Sequence, residues 1–179
     1  MEIISESAAT AIINAPIDSI NLSEWLFNLK SHEYQACSKG HIAAGNSIST
    51  DGKRMSINVE QVADTLLVQH YIEETGEKDY CKVISNSDSF SPFGRTKLGI
   101  IWEIKVEKHT DKNSQFTNIV KVLMTDEFSS LLKTAGILDL TPVKTSMTQN
   151  VTAHNQEETP LFAKDIEIKA LSGVWKNNN

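Results

Sequence analysis

Two cysteines, two arginines and four prolines in 179 residues deprive several protein classes of their usual means. Cys37 and Cys81 are too few for a disulfide framework, have no metal-site spacing and suit a reducing compartment. Arg54 and Arg95 are the only arginines, and the formal net charge is -6, so bidentate readout of phosphates or base edges has few donors. Nucleic acid is not an expected partner. No window reaches the roughly 18 apolar residues of a membrane span. The opening MEIISESAAT carries acids where a secretory signal carries basic residues. A soluble, cytoplasmic chain without membrane insertion is the expectation. Internal repeats and low-complexity linkers are missing as well, and apolar residues make up 40% of the chain. That is enough for one core, so residues 1–179 are expected to form one domain with its core over about 5–172.

The elements follow from local patterns. A short extended segment over about 5–13 stops at Asn14-Ala15-Pro16, and a helix is expected from Pro16 or Ile17 to about Leu29, with Asn14 near its cap. Its apolar residues Ile17, Ile20, Trp25, Leu26 and Leu29 make one packing face. From 41 to 125 the texture changes to runs rich in Val, Ile, Thr and aromatics. Strands are expected near 42–49, 54–62, 65–74, 80–86, 97–108 and 116–125, joined mostly by short turns into an antiparallel meander. The separator SNSDSFSPFG is longer and reads as a loop. A short helix over about 126–134 ends at Ala135-Gly136, and a connection passes through Pro142. A last long helix over about 144–171 must be kinked or divided at Pro160, with Thr159 or a neighbour capping the second part.

The segment AATAIINAPIDSI, the meander of about six strands and the segment HNQEETPLFAKDIEIKAL together resemble the START-like, or Bet v 1-like, superfamily (SRPBCC), including its uncharacterised polyketide cyclase-like bacterial members. The resemblance covers roughly residues 5–172. It implies an α+β helix-grip fold: a curved, mainly antiparallel sheet of six to seven strands wrapped around the terminal helix, enclosing a cavity for an apolar or aromatic ligand. It transfers no catalytic motif, because this superfamily hosts many chemistries. The stretch SHEYQACSKGHIAAG departs from the aromatic-rich sequence often found after the first helix, so the cavity mouth there is expected to differ.

Within this frame the terminal helix carries the chemistry. Val151, Leu161, Phe162, Ile166, Ile168 and Ala170 spread over one broad face, and His154, Glu158 and Asp165 project into the same sector. These three are the candidate acid-base groups. His154 and Glu158 are also an i,i+4 pair, which equally suits an exposed helix face. Trp102 alternates with Ile100 and Ile104 and belongs inside the sheet, as core or as a flat wall for a ring-shaped ligand. Tyr71 lies on a strand of ambiguous alternation. Phe90 through Arg95 form either a lid, with Arg95 meeting a carboxylate or phenolate, or a hairpin loop whose aromatics fold onto the surface. Lys39-Gly40-His41 is a second candidate mouth.

The expected ligand-binding residues are thus Trp102, Tyr71, Arg95, His154, Glu158 and Phe162. Nucleophile elbow, Walker loop, dinucleotide fingerprint and H-E-x-x-H pair are all missing. Histidines 32, 41, 70, 109 and 154 are dispersed, no cofactor is implied, and metal-free ligand binding is the default. The expected function is binding of a small apolar or aromatic, lipid- or polyketide-like molecule, with cyclase or dehydratase-type acid-base chemistry if the helix carboxylates meet it. The alternative is a protein-interaction or stress-related module of the same fold without turnover.

Overall fold

Alternation along the strands builds a single curved sheet. The computed structural model describes residues 2–176; the terminal WKNNN reads from sequence as a frayed end, and its last three residues, 177–179, lie outside the described residues. The strands are β1 (Ile3–Ile13), β2 (His41–Ile48), β3 (Arg54–Val62), β4 (Thr65–Gly76), β5 (Tyr80–Ser91), β6 (Gly94–Lys108) and β7 (Ser114–Leu123). Their order is β1-β7-β6-β5-β4-β3-β2, antiparallel at every step. The N-terminal strand therefore closes one edge against the last strand, and the rest is a meander. Between β1 and β2 lie a 3-10 turn (Ile17–Ser19), α1 (Leu22–Asn28) and α2 (Ser31–Gln35); α3 (Asp126–Thr134) and α4 (Thr141–Ser172) follow β7. The long α4 packs chiefly on β1, with β7 and β3 beside it. This is the helix-grip fold.

The core sits where the sheet's inner face meets α1 and α4. Leu98, Ile100, Trp102, Ile104 and Val106 of β6 are all buried, as the alternation predicts. Trp25 of α1 meets Phe162 of α4 edge-on at 5.1 Å between ring centroids, and reaches Trp102 and Phe116 at 6.4 and 6.5 Å. Such edge-to-face contacts match the quadrupoles of the rings as well as burying area.

Four local expectations are corrected. The segment over 16–29 is not one helix: Ile20 and Asn21 are extended, and Asn21 caps α1 by accepting from Glu24 N at 3.0 Å. Asn14 instead donates from N and Nδ2 to Glu167 Oε2 at 2.8 and 2.9 Å, tying the end of β1 to α4. SNSDSFSPFG is not a loop but the continuation of β5 into β6, with Ser91 paired to Gly94 across Pro92-Phe93. Gly94 has φ +127°, which explains glycine at that corner. Pro160 neither divides the helix nor separates its phases. It occupies an exposed position, as does Gln156 four residues earlier, so the carbonyl deprived of its donor is on the wet side. Thr159 accordingly caps nothing and donates to Asn155 Oδ1 at 2.9 Å inside α4. Finally, Pro142 belongs to the first turn of α4 rather than to the connection.

The continuous α4 also corrects its face. Asn155, Glu158, Thr159, Phe162, Ala163, Ile166, Glu167 and Ala170 point inward, whereas Leu161 and Ile168 are 41% and 57% exposed. Polar residues thus occupy much of the buried stripe. No helix among the described residues is long and apolar enough to cross a membrane.

Candidate functional site

An inner chamber and an outer cavity share the concave side of the sheet. The inner one, about 60 Å³, is lined by Tyr71, Trp102 and Phe162 on its apolar side and by Glu60, Gln69, His154 and Glu158 on its polar side. The outer one, about 500 Å³, lies between α3, the first turns of α4 and the β5–β6 hairpin. Val62, Leu67, Ile100, Val122 and Val151 line both, so the two are neighbours across an apolar collar. Ser87 and Ser89 of β5 are inward-facing and almost fully buried, and Ser89 lines the outer cavity. Small side chains at those positions leave space that Val or Leu would fill.

The polar end is assembled from three places in the chain. Strand pairing sets His41 of β2 beside Glu60 of β3, and α4 supplies His154 and Glu158 one turn apart. His41 is fixed twice: its ring stacks on Tyr34 at 3.7 Å, and its Nδ1 lies 2.7 Å from the Tyr34 carbonyl oxygen. A carbonyl only accepts, so Nδ1 carries a proton and Nε2 faces the cluster. Gly40 immediately before it lies against the backbone of Gln61, where a Cβ would collide with the Gln61 carbonyl.

Both carboxylates are held from behind. Glu60 Oε1 accepts from Gln69 Nε2 at 2.8 Å, and Glu158 Oε1 accepts from Asn118 Nδ2 at 2.9 Å. Asn118 Oδ1 in turn accepts from Trp102 Nε1 at 2.7 Å, linking the indole to the charged end. The two Oε2 atoms point at the histidines. His41 Nε2 is 3.1 Å from Glu158 Oε2 and 3.6 Å from Glu60 Oε2; His154 Nε2 is 3.4 and 3.3 Å from the same atoms. Tyr34 OH also donates to Glu60 Oε2 at 2.7 Å. His154 Nε2 is buried, and neither nearby oxygen is aligned to complete a hydrogen bond with it. These four side chains bring one donor atom each to within 4.8 Å of the others, and could hold a metal ion.

The electrostatics follow from burial and pairing. Burial raises the Glu60 carboxyl, but the facing His154, His41 and the Tyr34 hydroxyl prevail and hold it near 2. Burial lowers the His154 imidazole, yet Glu60, Glu158 and Glu157 lift it to about 9. Tyr34 and Tyr71 are pushed well above the ordinary phenol range by burial and by the same two glutamates, so both hydroxyls stay protonated. The Cys37 thiol is driven up to about 12 by burial, with Asp165 and Glu158 adding to it, and burial takes Cys81 to about 12 too. Neither is a thiolate nucleophile at neutral pH.

Of the expected ligand-binding residues, Trp102, Tyr71, His154, Glu158 and Phe162 line the inner chamber. Arg95 does not: its side chain is 69% exposed at the far hairpin and pairs with Asp88 at 3.1 Å. Asp165 stands apart as well, accepting from Trp25 Nε1 at 2.7 Å and from Lys169 at 2.8 Å behind the aromatic core. Glu60, Tyr34, Gln69 and Asn118 are site residues that the sequence does not single out, and it places His41 at a mouth rather than in the polar cluster. The available signal was polar residues at inward strand positions: Ser56, Asn58 and Glu60 alternate on β3, all buried.

No family model matches the sequence, and no curated protein does so. Solved structures do match. An aromatase/cyclase from a Streptomyces species aligns with a TM-score of 0.65 at 11% identity, covering 90% of this chain and 93% of that one. A protein from Thermus thermophilus gives 0.51 at 14% identity, covering 93% and 97%. The di-domain aromatase/cyclase BexL gives 0.55 at 11% identity; 90% of this chain matches 49% of that chain, about half its length. At these identities the likeness is one of fold.

Proposed function

We propose that this chain is a START-like, polyketide cyclase-like member of the helix-grip proteins that binds a small apolar or aromatic molecule in its interior. The observation that carries the reading is an apolar cavity narrowing to a buried polar end. Together the two spaces fall in the range of small-molecule sites, about 300–1,000 Å³, where apolar walls supply affinity and a few polar groups set orientation. A ring against Trp102, Tyr71 and Phe162 would present its oxygen substituents to Glu60, His154 and Glu158. Several structural neighbours are named as aromatase/cyclases, which favours a ring-forming or dehydrating reaction with proton transfer at that end. A bound substrate held against fixed donors and sheltered from water needs few catalytic groups.

Native mass spectrometry of the gently purified protein, followed by denaturing release and identification of small molecules, tests the reading. A stoichiometric apolar ligand, lost in Trp102→Ala and retained in Arg95→Ala, is expected. An empty protein that also fails to bind any member of an aromatic polyketide-like panel overturns it. The second reading, a protein-interaction module, rests on Leu161, Ile168 and Leu171, which are exposed along the outer side of α4. In that case Trp102→Ala leaves partner capture unchanged and Ile168→Asp abolishes it.

A further inference from the structure

We propose that His41, Glu60, His154 and Glu158 form a binding site for a divalent transition-metal ion of the zinc class, at the polar end of the inner chamber. Each residue offers one atom, Nε2 of the two histidines and Oε2 of the two glutamates, and the four side chains bring one such atom each to within 4.8 Å of the others. The four nitrogen-to-oxygen separations are 3.1, 3.3, 3.4 and 3.6 Å. Zinc bonds of about 2.0–2.2 Å in a tetrahedron require ligand-to-ligand edges of about 3.3–3.6 Å. The four nitrogen-to-oxygen edges lie at or close to that range. Of the four pairs only His41 Nε2 and Glu158 Oε2, at 3.1 Å, are close and aligned enough for a direct hydrogen bond, and His154 Nε2 makes none although it is buried.

The surroundings fit ligation better than simple ion pairing. His41 spends its Nδ1 proton on the Tyr34 carbonyl, which leaves the Nε2 lone pair of its neutral form aimed at two carboxylate oxygens. A cation between them turns that opposition into two bonds, and the backing carbonyl is the outer partner that metal-bound imidazoles ordinarily have. Gln69 and Asn118 hold the other oxygen of each carboxylate, so both Oε2 atoms are oriented before any ion arrives. With both imidazoles neutral, as ligation requires, the two buried carboxylates carry two negative charges, which one divalent ion neutralises. Two imidazoles disfavour calcium and magnesium, which take oxygen ligands, and select the zinc, cobalt and nickel group. Glu60, His154 and Glu158 also line the inner chamber, so the ion would stand in its wall. The site is independent of the ligand reading above: an ion can bind with the cavity unfilled, and an organic ligand can bind without an ion.

The test uses the untagged full-length chain, stripped with chelator, dialysed, and titrated with Co²⁺ without any organic ligand. Intense ligand-field absorption of four-coordinate Co²⁺ is expected, saturating at one ion per chain and bleached by Zn²⁺, with elemental analysis giving the same stoichiometry. Glu60→Gln and Glu158→Gln preserve shape and remove charge. Since loss of outer-shell partners alone costs about 10–100-fold in affinity, each should weaken Zn²⁺ binding by more than about 100-fold. Arg95→Ala should leave it unchanged. Near-UV circular dichroism establishes that the variants are folded; if the glutamine variants are not, His154→Gln takes their place. A folded wild-type chain that gives no cobalt spectrum overturns the proposal. So does a spectrum that persists in the folded variants.

Discussion

The two ends of the concave face use the same alternation for opposite purposes. At the α1 end, inward positions carry Trp25, Phe116, Phe162 and Ile104, all fully buried, and Trp25 meets the two phenylalanine rings edge to face. At the β5–β6 hairpin end, inward positions carry Ser87 and Ser89, and a cavity of about 500 Å³ takes the place of side chains. Between them, Ser56, Asn58, Glu60 and Gln69 face inward as a polar band. The packed end supplies stability and the hollow end supplies access. The band lies where the two meet, so its charged groups are rigid and still border the inner space.

That division is broken most severely at Phe162, which touches Trp25, Trp102 and His41 with centroids at 5.1, 5.8 and 5.7 Å. Phe162→Ala should cost about 3–5 kcal/mol, read from urea denaturation midpoints. A loss below 1 kcal/mol would mean that the packed end is not the source of stability. Next comes Asn118→Ala, which leaves Trp102 Nε1 and Glu158 Oε1 without their partners and should cost about 1–3 kcal/mol by the same measurement.

Alkaline pH sharpens the comparison from another side. Cys37 and Cys81 belong to the packed half, and their folded-state thiols sit near 12, above the ordinary value of about 8.5. Above pH 9 the unfolded chain releases these protons while the folded chain keeps them. Stability from this source is therefore complete below about pH 8.5 and declines towards pH 12. Melting temperatures across that window should fall less in a Cys37→Ser, Cys81→Ser chain, and iodoacetamide should label the native thiols only slowly at pH 8. The smallest effect belongs to Arg95→Ala at the hollow end: an exposed ion pair should change stability by less than about 0.5 kcal/mol.

The legible and illegible parts of the molecule divide for physical reasons. The period-two pattern of β6 is strong because Leu98, Ile100, Trp102, Ile104 and Val106 mark the buried side. In β5 the buried side is marked by Ser85, Ser87 and Ser89, whose composition signals a turn, so the strand was read as a loop from Ser87 onwards. Pro160 reads as a kink or a division because proline removes a donor wherever it stands; exposure of that face, which makes the loss tolerable, is a tertiary fact. His154 and Glu158 were legible as a pair since helix geometry brings i and i+4 together. Glu60 and His41 were not, because their approach to α4 depends on strand register and on how the sheet curves. Arg95 was chosen for its chemistry, and the extra length of β5 and β6 carries it away from the polar band.

The pairing of β1 with β7 sets an order of events during synthesis. The first strand leaves the ribosome more than a hundred residues before its partner over Ser114–Leu123 exists, and α4, which supplies His154 and Glu158, emerges after that. Until then β1 is an unpaired edge and the meander has a bare inner face, the kind of species that long-range pairing leaves exposed. Docking of α4, fastened to Asn14 through Glu167, is thus the step that both completes the core and creates the polar end. A chain truncated within α4 should be an aggregation substrate with no functional site at all, rather than a weakened version of the whole.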